Sequence, residues 1–158
     1  MAASPHELAA HALRVKTPAL AWGATSALYR LRPELEQRYG EAGRRHCAKD
    51  IGHHLRFLAA ATDIADPKVF TDYAAWAYRV MVTHNVAAED ALASFRCLLE
   101  VAPAAVDADA APFVRDTITR AVGAIESAAG TPRPVPRPRP RHAATSSPST
   151  AGSAPSRS

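Results

Sequence analysis

Apolar and small residues recur every three to four positions along most of residues 1–130. The clearest case runs from Glu41 to about Ile64. There Cys47, Ile51, His54/Leu55, Leu58 and Ala61/Thr62 fall on one stripe, with Arg44, Lys49 and Arg56 mainly off it. This is the period of an amphipathic helix. A second such face carries Val69, Phe70, Tyr73, Trp76/Ala77, Val80 and Met81, up to about His84. A third runs from about Ala87 to Val101 through Leu92, Phe95 and Leu98/Leu99, and a fourth from about Asp109 to Ala128 through Phe113/Val114, Thr117/Ile118, Ala121/Val122 and Ile125.

Punctuation residues bound these segments. Ser4-Pro5-His6-Glu7 has the spacing of a capping box with proline at the first helical position. A short helix to about Val15 should end at Thr17-Pro18, and another should span Ala19 to Leu31 across Gly23. Pro33 can open a segment from Glu34 to Tyr39, closed by Gly40. Asp66-Pro67 predicts an N-cap, Asn85 a left-handed terminator, and Gly130 the end of the last helix. No stretch alternates with the period of a strand. The connections are short, which favours antiparallel neighbours. The expected fold is all-α: an antiparallel bundle of about five to six helices over residues 1–130, followed by a disordered tail rich in Pro, Arg and Ser over residues 131–158.

The charge agrees with that division. The chain of 158 residues carries a formal net charge of +4. Arg133, Arg137, Arg139, Arg141 and Arg157 all lie beyond Gly130, where there is no Asp or Glu, so residues 1–130 carry about −1. The body therefore lacks the basic excess of a nucleic-acid binder. The Pro-Arg segment is suited to polyproline II and to an SH3-like groove or a polyanion. Two cysteines, Cys47 and Cys97, are too few for a secreted disulfide framework. His6, Glu7, His11 and Arg14 interrupt the apolar residues a signal peptide would need, and no run approaches the roughly 18 apolar residues of a membrane span. A cytoplasmic protein with reduced thiols is expected.

The densest polar cluster is His46-Cys47-x-x-Asp50-x-x-His53-His54, in which Cys47, Asp50 and His54 share a helix face. Thiolate, carboxylate and imidazole are all metal-ligand types. No His-x-x-Glu pair or second ligand cluster accompanies them, so no metal site is assigned. The plainer expectation is that Asp50 and His54 form an i,i+4 hydrogen-bonded pair and that Cys47 is a small core residue. The aromatic set Phe57, Phe70, Tyr73, Trp76, Tyr78 and Phe95 reads first as core of the central helices, and second as the lining of a pocket. Nucleophile elbows, P-loops and dinucleotide-binding glycine patterns are absent. Nothing assigns a nucleophile or a general base, and the chain reads as a non-enzyme.

The order Arg45-x-Cys47-x-x-Asp50, His54-Leu55-x-x-Leu58, Asp66-Pro67-x-x-Phe70-x-x-Tyr73-x-x-Trp76 lies within Leu28 to Val101, about half the chain. This stretch resembles a helical module found beside cobalamin-binding domains in bacterial sensory proteins, and is similar to the N-terminal globin-like domains of RsbR-type stress regulators. The resemblance implies a bacterial sensory or regulatory module in signal transduction. It also implies that Trp76 and His54 would face a neighbouring domain or its cofactor. The chain has no Asp-x-His-x-x-Gly cobalamin signature, so cobalamin would have to come with a partner.

The functional expectation is a non-catalytic module acting through protein–protein contact, with room for a small ligand or cofactor between its helices. His54, Phe57, Tyr73 and Trp76 are the candidate ligand- or partner-binding residues. The expected partners are a signalling or cobalamin-binding domain, or a second copy of the chain, with no membrane and no nucleic acid for the body. The alternative is a helical protein that holds haem, cobalamin or a metal through His54, His53, His84 or Cys47.

Overall fold

The computed structural model describes residues 1–130, and the Pro-Arg-Ser tail expected to be disordered lies outside the described residues. Among the described residues the chain is all-α and has no strand. Helix α1 spans Pro5–Leu31, α2 Glu34–Asp63, α3 Pro67–Thr83, α4 Ala88–Arg96, α5 Leu98–Val101 and α6 Ala111–Ala129, with a 3₁₀ turn at Pro103–Ala105. No helix among the described residues is long and apolar enough to cross a membrane.

The predicted caps are present. The Ser4 hydroxyl accepts from the Glu7 backbone N–H, and Glu7 Oε2 accepts from the Ser4 N–H at 2.6 Å. Asp66 Oδ1 accepts from the Lys68 N–H at 2.9 Å and starts α3. Asn85 takes φ 66° after α3. Gly40, at φ 64° and ψ −163°, breaks α2 into Glu34–Tyr39 and a long second part, as its place in the sequence implied. Those angles lie in a region essentially confined to glycine.

Two boundaries differ from expectation. The break at Thr17-Pro18 does not occur: α1 runs unbroken through Pro18. Pro18 lies on the exposed side of α1, so the Arg14 carbonyl it leaves without an N–H is open to water. Packing of the opposite side against α2 then holds the helix together. Conversely, the helix expected from Ala87 to Val101 breaks at Cys97, where the Glu100 N–H bonds back to the Cys97 carbonyl in a tighter, three-residue turn.

Helices α1 and α2 form an antiparallel hairpin about the Arg32-Pro33 corner. Thr25 meets Cys47, Tyr29 lies under the Arg44 guanidinium, and Arg14 at the other end pairs with Asp63 at 2.7 Å. Helix α6 packs mainly on α3 and α4, and α5 on α1. The core between them holds Leu13, Ile51, Leu55, Leu58, Phe70, Phe95, Leu98, Ile118 and Ile125, all fully buried. At about 1.5–3 kcal/mol per large apolar side chain, this interior is the main source of stability. Most of the periodic positions chosen from the sequence point inward, and Trp76 does not.

Candidate functional site

The site grows from His54, buried at the centre of α2. Its ring stacks on Phe95 of α4 with centroids 3.9 Å apart and planes 18° from parallel. Its Nδ1 lies 2.8 Å from the Tyr73 hydroxyl of α3, and its Nε2 lies 3.2 Å from the Ser94 hydroxyl of α4. Ser94 donates its own hydrogen to the Ala91 carbonyl at 2.6 Å. The Ser94 oxygen must therefore accept from Nε2–H, which leaves Nδ1 as the acceptor for Tyr73 O–H. One neutral imidazole thus ties three helices. Burial pushes its pKa down to about 3, with the nearby His53 acting in the same direction. The Asp50–His54 pair expected from i,i+4 spacing does not form. The imidazole turns inward, where two buried hydroxyls need a partner.

Tyr73 carries the link outward. Its hydroxyl reaches His54, while its ring stacks on Phe57 of α2 with centroids 3.9 Å apart and planes 6° from parallel. Trp76, one turn along α3, packs beside it at 6.2 Å. Phe57 and Trp76 remain 43% and 55% exposed. The expectation that the aromatic set is core therefore holds for Phe70, Tyr73 and Phe95 and fails for these two. They form the walls of an open cleft of about 330 Å³ between α2 and α3, whose floor includes Tyr73 and Ala77. The four candidate residues His54, Phe57, Tyr73 and Trp76 all line this cleft.

Asp50 lines the same cleft and also a neighbouring one of about 400 Å³, bounded by α1, α2 and the α3–α4 corner. Burial holds its carboxyl above the usual carboxylate range, with His53, His46 and Lys49 pulling the other way. The larger cleft is also lined by Tyr29, Tyr39, His46, Cys47 and His84. The Cys47 thiol lies 3.9 Å from the Thr25 hydroxyl, and burial pushes its pKa up to about 11. Cys97 is raised for the same reason. Both sulfurs are thus protonated at neutral pH. Among the described residues no group of three or more His, Cys, Asp or Glu side chains comes together in a way that could hold a metal ion. His53 sits on the surface 3.4 Å from Arg56, and His84 Nδ1–H donates to the Val80 carbonyl at 2.8 Å.

Sequence reasoning missed a second polar centre. Asp90, buried in the first turn of α4, faces Arg32 Nη1 at 2.8 Å and Arg38 Nη1 at 2.7 Å, and accepts from the Tyr39 hydroxyl at 2.8 Å. The Arg32 contact is an ion pair without in-line hydrogen-bond geometry. This clamp fastens the α1–α2 corner to α4 and closes one end of the larger cleft. Its partners lie 51 and 52 residues apart in sequence, so no local spacing announces it.

No protein-family model matches the chain, and no curated protein matches it.

Proposed function

We propose that this helical domain is a non-catalytic sensory or regulatory module that acts through protein–protein contact at the aromatic cleft between α2 and α3. The observation that carries this reading is the exposure of Phe57 and Trp76 over a buried Tyr73–His54 link. Large aromatic side chains held in place at a surface are the anchors that protein interfaces use. His54 beneath them is neutral and committed to two hydroxyls, which supports a positioning part for it. The resemblance to helical modules of bacterial sensory proteins supports the same reading, with a signalling or cobalamin-binding domain as the partner. Unpaired thiols at Cys47 and Cys97 support a reducing, cytoplasmic setting.

Self-association is proposed for a different face. Leu8, Val15 and Trp22 project from α1 at intervals of seven residues, and all three are exposed. Such spacing suits a second helix laid alongside. In the alternative reading His54 ligates haem, cobalamin or a metal. That would require it to give up its bond to Tyr73 or Ser94.

The test is a photo-crosslinking amino acid placed at Trp76 and, as a control, at the exposed Arg115 of α6, in cells producing the full chain. A discrete adduct at position 76 and not at 115 is the expected result. Equal labelling at both positions, or none at 76, would count against the cleft as the contact face.

A further inference from the structure

The two clefts meet at Asp50 and Met81, and of these only Asp50 carries a charge. Asp50 lines both, and it makes no hydrogen bond or ion pair with any described residue. The other carboxylate lining the larger cleft, Asp90, is held by Arg32, Arg38 and Tyr39. The smaller cleft adds the aromatic side chains Phe57, Tyr73 and Trp76, whereas Tyr29 and Tyr39 of the larger one already lie under the Arg44 and Arg38 guanidinium groups. An unpaired carboxylate in a cleft with aromatic walls is an arrangement that recognises an organic cation, through charge at one point and cation–π attraction at the rings.

We propose that the joined clefts bind a small organic monocation, a protonated or quaternary amine with an apolar body, with its charge against Asp50 and its body against Phe57, Tyr73 and Trp76. This deepens the reading of the α2–α3 cleft as the functional face and rests on it. Three observations support the ligand class. The cleft volumes of about 330 and 400 Å³ match a small molecule. The Lys49 ammonium and the His46 and His53 side chains near Asp50 belong to its own helix and form no ion pair with it. Finally, desolvation raises the Asp50 carboxyl, and a bound cation would relieve that burden by supplying the missing counter-charge.

The experiment is calorimetric titration of the full chain with benzyltrimethylammonium and, separately, with neutral benzyl alcohol. It is repeated on Asp50→Asn, which keeps the shape and removes the charge, and on Trp76→Ala, which removes a wall. Circular dichroism of each variant checks the fold. The cation should bind wild type more tightly than the alcohol does, lose about tenfold or more in affinity in Asp50→Asn, and weaken in Trp76→Ala. The alcohol should not respond to Asp50→Asn. Equal binding of the two probes, an unchanged Asp50→Asn, or no binding at all would overturn the cation site. Crosslinking at position 76 is judged independently, so the contact face can stand if the cation site falls.

Discussion

The Tyr73 hydroxyl donates to His54 Nδ1 across 2.8 Å while the opposite end of the same side chain stacks on Phe57 at the surface. One residue therefore joins a buried polar link to an exposed aromatic cleft. The orientation of the cleft floor depends on a hydrogen bond made in the interior.

Tyr73→Phe should keep the stack and lose the bond. It leaves Nδ1 of a buried imidazole without a partner, at a cost of about 1–3 kcal/mol. Equilibrium urea unfolding would show this as a lower midpoint with an unchanged slope.

The imidazole also makes stability depend on pH. The His54 pKa is held down to about 3 in the folded chain, against 6.5 for an ordinary imidazole. The unfolded chain therefore takes up a proton first as pH falls. The stability is fully present above the unfolded value and declines progressively as pH drops toward the folded one. At pH 5 the loss should be about 2 kcal/mol relative to neutral pH, from about 1.36 kcal/mol per unit. The difference between wild type and His54→Asn across this range isolates the effect, since other acidic groups contribute equally to both. A difference that does not change between pH 7 and pH 5 would contradict it.

The helix boundaries and the inward-facing stripe were readable because local rules decide them. Ser4-Pro5, Asp66-Pro67, Gly40 and Asn85 act on their own neighbours, and Ile51, Leu55 and Leu58 repeat with the helical period. Pro18 was misjudged because its local cost is outweighed by tertiary packing of the rest of α1. For the site, the aromatic set and the resemblance suggest His54, Phe57, Tyr73 and Trp76, and all four line one cleft. The partner of His54 was not legible in this way. Spacing offers Asp50, but only the fold shows that Tyr73 and Ser94 arrive from two other helices. Asp90 and its arginines were invisible for the same reason.

The Asp90 clamp should contribute measurably. Asp90→Asn removes the charge that both arginines face. A fully buried pair typically costs about 3–5 kcal/mol to break this way. Because Arg38 remains 46% exposed, the expected loss is nearer about 2 kcal/mol. Thermal unfolding at two salt concentrations would test it, with a smaller difference from wild type at high salt.

Two backbone positions should respond in opposite directions. Ala65 ends α2 at φ 51°, where a side chain is strained, so Ala65→Gly should stabilise by about 0.5–1 kcal/mol. Gly40, at φ 64° and ψ −163°, has open space where a Cβ would sit, so Gly40→Ala should destabilise by about 1–3 kcal/mol through backbone strain alone. Urea midpoints of the two variants give the signs directly.

A contact face at α2 and α3 requires an aromatic cleft that is open in the folded chain. The two tryptophans of the sequence, Trp22 and Trp76, both lie at the surface, so Trp22→Phe leaves Trp76 as the sole reporter. Acrylamide quenching of that variant is the direct measurement. Folded protein should show Trp76 readily quenched, at a rate between those of a buried indole and of the urea-unfolded chain. A Trp76 as protected as a core residue would mean that the α2–α3 face is closed, and would contradict the account.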